Sequence, residues 1–94
     1  MSKAKEKELA DLAELFDGFA ALLPHRESLS VALEAEAEVV VGEGVEAALD
    51  RARTLRTLER DRRSDPQMTG QRRALILTTA ARLDRAAREK RRSG

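Results

Sequence analysis

Residues 29–41 read LSVALEAEAEVVV, and the conformation of this stretch decides the fold class of the chain. Leu29, Val31, Leu33, Ala35, Ala37, Val39 and Val41 hold every odd position, while Ser30, Glu34, Glu36 and Glu38 hold most of the even ones. A period of two is the mark of a half-buried strand. The middle of the stretch, ALEAEAE, is built from strong helix formers instead. On a helical wheel Leu29, Leu33, Ala37 and Val40 share one face, with Glu36 intruding on it. A strand of this length would be long, and no second strand candidate is available to pair with its edges. The expected fold is therefore all-α, a small bundle of three or four helices completed by dimerisation. A strand at 29–41 is the main alternative, and it would require an intermolecular ribbon between two copies.

The flanking sequence favours helices. Leu9, Leu12, Phe16, Phe19 and Leu23 follow one another at spacings of 3, 4, 3 and 4, and Leu15 and Leu22 widen that stripe. A face this broad suits a globular bundle better than a narrow coiled-coil seam. Pro24 should end the first helix near Leu23, because the residue before proline resists the α region. His25 to Ser30 reads as a connector or as the first turn of the next element, and Gly42-Glu43-Gly44 as a turn. Val45 to about Arg62 carries the apolar stripe Val45, Leu49, Ala52, Leu55 and Leu58. The segment SDPQMTG at 64–70 reads as a linker in which Asp65 and Thr69 are candidate helix caps. A last helix from Gln71 to about Arg91 would pack through Leu75, Ile76, Leu77, Ala80, Leu83 and Ala87. Residues 1–94 thus read as a single helical domain with breaks near 24–28, 42–44 and 64–70. The first helix is expected to pack against the 29–41 segment, and the last two helices to form an antiparallel hairpin.

Composition narrows the function classes. Two Phe and no Trp or Tyr leave a core of Leu, Val and Ala. A buried Leu contributes about 1.5–3 kcal/mol, and Ala far less. So thin a core is a reason to expect a homodimer. The absence of cysteine excludes disulfides, Cys-ligated metals and thiol nucleophiles, and it fits an intracellular protein. No apolar run approaches a membrane span, and no signal-peptide core follows MSKAKEKEL. A cytoplasmic location without membrane contact is the expectation. The basic last helix carries no Trp or Phe to anchor it at a lipid surface.

No catalytic residue, cofactor site or metal site is expected. His25, the only histidine, stands beside Pro24 with no triad or ligand set near it in sequence. Glu34, Glu36 and Glu38 crowd one stretch, but di-metal helical sites also need Glu-x-x-His pairs, and there are none.

The charge distribution is more informative. Residues 1–50 carry 4 Lys/Arg and 12 Asp/Glu, whereas residues 51–94 carry 14 basic and 5 acidic side chains, 13 of the basic ones Arg. Arg53, Arg56, Arg60 and Arg63 form one helical row, and Arg82, Arg85, Arg88 and Arg92 another. Guanidinium forks match carboxylate and phosphate geometry. The first expectation is protein–protein interaction of a structural or regulatory kind, through a homodimer or an acidic protein surface. Leu12, Phe16, Phe19 and Leu23 would anchor the interface, and Arg53, Arg56 and Arg60 would form its rim. The alternative is a nucleic-acid-associated protein that holds phosphates with Arg85, Arg88 and Arg92. No aromatic interleaves the rows, which argues against base stacking. The segment RRALILTTAARLDRAAREKRR at 72–92 resembles the opening helix of TetR-like repressors over some of its length; no turn and recognition helix follow it, so no base-reading element is implied.

Overall fold

The 29–41 stretch is helical. The computed structural model describes residues 3–93, and these form four α-helices: α1 (Lys3–Ala21), α2 (Arg26–Gly42), α3 (Val45–Asp61) and α4 (Gly70–Ser93). Among the described residues there is no strand, so the bundle expectation holds and the strand alternative does not. Helix propensity across ALEAEAE prevails over the odd–even alternation, because a helix satisfies its own backbone whereas a lone strand leaves two open edges. Leu33 and Val40 are buried on the inner face of α2, and Leu29, Ala37 and Val41 are half-buried beside them. The intruding Glu36 is half-buried and accepts a hydrogen bond from Arg51 of α3 at 3.3 Å.

The helices are interrupted at 22–25, 43–44 and 62–69, and α1 stops two residues short of Leu23. Helix α1 ends at Ala21, and Leu22 and Leu23 form a turn by donating back to the carbonyls of Phe19 and Ala20. Helix α2 begins directly after His25, so the His25–Ser30 segment is its first turn rather than a connector. At the next break Gly44 adopts φ = 126°. An L side chain rarely takes that conformation, and glycine allows α3 to start one residue later. Before α4, Asp65 Oδ1 accepts from the Gln67 amide at 2.9 Å in a side-chain-closed turn. Thr69 Oγ1 accepts from the Arg72 amide at 3.2 Å. Thr69 is therefore the N-cap of α4, while Asp65 closes a turn and caps no helix.

Helices α3 and α4 make the expected antiparallel hairpin and share by far the most extensive contact in the fold. Ala48, Ala52, Ala80 and Ala87 are fully buried, so small side chains let these two backbones approach closely. Leu55, Leu58, Ile76 and Leu83 fill the space around them. Helices α1 and α2 lie across this hairpin as a second layer, giving a shape 42 × 36 × 17 Å. The expectation that α1 packs on the 29–41 segment is corrected here: α1 lies chiefly on α3 and α4, and its contact with α2 is the slightest in the bundle. Leu12, Phe16 and Phe19 supply the α1 side of the core. The large apolar side chains, five of them Leu or Phe on α1, go where the two layers meet.

Buried polar side-chain atoms all have hydrogen-bond partners among the described residues. Thr54 Oγ1 accepts from Lys5 Nζ at 2.7 Å and donates to the Asp50 carbonyl at 3.0 Å, tying α1 to α3. Lys90 Nζ donates to the Val41 carbonyl at 2.9 Å, so the C-terminus of α4 caps that of α2.

Candidate interaction surfaces

The sequence-derived interface residues divide into two groups. Leu12, Phe16 and Phe19 are buried inside their own chain. Phe16, Leu58, Leu75 and Ile76 line one small cavity of about 50 Å³. These three residues are core residues, and their apolar area is already covered by α3 and α4. Leu23 is half-buried and borders an open groove between α2 and α4, together with Leu29, Leu33 and Ala74.

The arginine rows behave differently. Arg53, Arg56, Arg60, Arg85, Arg88 and Arg92 are all exposed. Arg56 of α3 pairs with Asp84 of α4 across the hairpin seam. Arg53 stands one turn before Arg56 and Arg60 one turn after it, while Arg88 stands one turn after Asp84. The two rows therefore flank a single seam and make one face. Leu77, 40% exposed, and Ala81 lie on the same helix surface, two turns and one turn before Arg85. Among the described residues Arg60, Arg85, Arg88 and Arg92 stand in no ion pair. Helix α4 carries eight basic and two acidic side chains.

Helix α2 presents the opposite character. Its outer row is Val31, Ala35 and Val39, with Val31 68% and Val39 61% exposed. Glu27, Glu34 and Glu38 stand exposed beside that row. Among the described residues no helix covers it. Three of the β-like odd positions thus form a solvent-facing apolar ridge with an acidic flank.

A third feature was only half visible in the sequence. Glu59 is 3% exposed and is held by two arginines. Arg63 donates through Nε at 3.1 Å and through its terminal nitrogen at 3.0 Å, and Arg73 donates through Nε at 3.0 Å. The Arg63 hydrogen bond is the main reason that the Glu59 carboxyl lies below the usual carboxylate range; burial opposes it, and Arg73 adds to it. The Glu59 carboxylate raises the Arg63 guanidinium correspondingly. The spacing of Glu59 and Arg63 announced the first contact, but Arg73 arrives from the next helix with no local signal. The same holds for Arg51–Glu36 at 3.3 Å, Arg72–Asp17 at 2.8 Å and Arg91–Glu46 at 2.9 Å, all of which tie the acidic half of the chain to the basic half.

His25 is exposed at the α1–α2 turn. Among the described residues no three His, Asp or Glu side chains are grouped to hold a metal ion, and no helix is long and apolar enough to cross a membrane. Compared with protein-family models, curated proteins and solved structures, the chain matches none of them.

Proposed function

We propose that this chain is a non-enzymatic protein–protein interaction domain, a structural or regulatory adaptor. The supporting observation is the ridge Val31–Ala35–Val39, exposed on α2 beside an acidic row although the chain has a well-covered core elsewhere. Single exposed apolar residues are common on folded proteins. Two valines two turns apart on one helix row are the pattern by which an amphipathic helix docks on a partner. Buried apolar residues would supply the affinity, and the charges beside them would set the encounter rate and the choice of partner.

A photo-crosslinking residue placed at Val39 tests the reading in the host cell. The expected result is a discrete protein adduct that weakens when purified wild-type domain is added. A pattern no different from that of a crosslinker at exposed Glu14 on α1 would reject it.

The unpaired state of Arg60, Arg85, Arg88 and Arg92 favours a second reading, contact with nucleic-acid phosphates. Each phosphate neutralised on a duplex adds roughly 0.9 to the slope of log affinity against log salt. If the α4 row holds phosphates, the triple variant Arg85→Gln, Arg88→Gln, Arg92→Gln should lower that slope by about 2–3 and weaken binding alike for all duplex sequences. An unchanged slope would remove those three residues from any such contact.

A further inference from the structure

We infer that the partner of the α2 ridge is a second copy of this chain, and that the ridge seats on the arginine face of the α3–α4 hairpin. The inference rests on the protein-contact reading above and gives that contact its occupant. The two surfaces are complementary in kind. The ridge offers Val31, Ala35 and Val39 with Glu34 and Glu38 beside them. The seam offers Leu77 and Ala81, with Arg53 and Arg60 on its α3 side and Arg85 and Arg88 on its α4 side.

The arginine face is long enough to seat the ridge. Val31 and Val39 are about 12 Å apart along their helix axis, and Leu77 and Arg88 about 16 Å apart along theirs. Glu34 and Glu38 are separated by about 6 Å of rise, and Arg85 and Arg88 by about 4.5 Å. Guanidinium forks span that difference by side-chain rotation, and each fork can donate two N–H groups to one carboxylate.

The chain's own ion pairs leave these groups available. Glu36, facing inward, is taken by Arg51, and Asp84 by Arg56. Among the described residues Glu34 and Glu38 have no cation partner, and Arg60, Arg85 and Arg88 have no carboxylate. These two sets lie on different helices, the carboxylates on α2 and the guanidinium groups on α3 and α4, so one copy can offer Glu34 and Glu38 to the arginines of another. The fold cannot close this pairing within one chain, because α2 sits in the layer that covers the hairpin's inner side. Because the ridge and the arginine face lie on opposite sides of the two-layer fold, the contact is one-way and continues to assemblies larger than a dimer.

The test is a charge exchange between two variants, each checked for native helix content by circular dichroism. One carries Glu34→Arg with Glu38→Arg, and the other carries Arg85→Glu with Arg88→Glu. Wild-type chain should sediment above its 10.4 kDa monomer mass in low salt. Each variant alone should associate at least about tenfold more weakly, since like charges then face each other across the contact. An equimolar mixture should recover association, because the basic α2 of one variant meets the acidic α4 of the other. Val39→Ser should weaken assembly without altering its salt dependence. A wild-type chain that stays monomeric at about 1 mM, the weak end of specific association, overturns the proposal. So do variants that assemble like wild type, a mixture that recovers nothing, and assembly that appears only when a DNA duplex is added. A monomeric wild type that still gives a Val39 adduct with a different protein would overturn self-docking and leave the protein-contact reading standing.

Discussion

Changing both Phe16 and Phe19 to serine is expected to unfold the domain in water at 25 °C. The two rings are 6% and 7% exposed and meet edge to face, with centroids 5.2 Å apart and planes at 89°. Truncating one buried Phe costs about 3–5 kcal/mol, and a buried serine hydroxyl without a partner adds to that. The residues share one site, so their effects will not simply add. Even a sum reduced by that sharing approaches the roughly 5–14 kcal/mol expected for a domain of this length. Circular dichroism of the double variant should show helix content well below wild type and no cooperative melt. Phe16→Leu, which keeps most of the volume, should melt cooperatively at a lower temperature. A double variant that melts within a few degrees of wild type would show that α1 is peripheral, and that the α3–α4 hairpin with α2 folds without it.

The helices of this chain could be read from its sequence more easily than their arrangement. The 3–4 spacing from Leu9 to Leu23 gave α1, Gly42-Glu43-Gly44 gave the α2–α3 turn, and Thr69 gave the cap of α4. Each of these signals is local and acts within a few residues. The packing of α1 against the hairpin depends on which apolar faces meet across tens of residues, and nothing in the spacing of Leu12 and Phe16 names α3 as the neighbour. The aromatic stripe therefore looked like an intermolecular anchor, although it is the inner wall of the fold. The four fully buried alanines explain why: they give α3 and α4 close approach rather than area, which frees Phe16 and Phe19 to fill the gap between layers.

The ambiguity at 29–41 has a physical counterpart in the structure. A helix of period 3.6 can use only some of seven apolar odd positions for its inner face. Leu29, Leu33 and Ala37 serve the core together with Val40, and Val31, Ala35 and Val39 are turned outward. The alternation that resembled a strand is the overlap of two helical faces, one that folds the chain and one left to solvent. The arginine rows were legible for the same reason: each lies on one helix. Their union into one face was not, because it depends on the Arg56–Asp84 contact across the seam.

Glu59→Gln is expected to lower the melting temperature at neutral pH by roughly 5 °C, the consequence of weakening an ion pair whose carboxylate is buried but whose two arginines reach solvent. The carboxylate accepts three hydrogen bonds from two guanidinium groups, whereas a glutamine amide can accept through one oxygen only and turns its NH2 group toward a second donor. The two arginines are not equivalent in this respect. Arg63 lies four residues on, in the turn just past α3, so its contact closes the end of that helix. Arg73 comes from α4 across the 62–69 connection, so its contact fixes where the second helix of the hairpin begins. Arg73→Gln should therefore loosen the hairpin end and raise amide exchange around Thr69, an effect that Arg63→Gln should lack.

The same site sets the acid response. Because the folded-state pKa of Glu59 is depressed below its ordinary 4.5, its contribution is present above that value and is lost as pH falls through the lower folded value. Urea melts of wild type should lose stability progressively from about pH 4.5 downward, whereas Glu59→Gln should start lower and lose less over the same interval. The gap between the two proteins should thus narrow as the medium becomes more acidic. Parallel curves across the whole range would show that Glu59 titrates alike in folded and unfolded chains. The arginine clasp would then be a contact of geometry without energetic preference for the charged carboxylate.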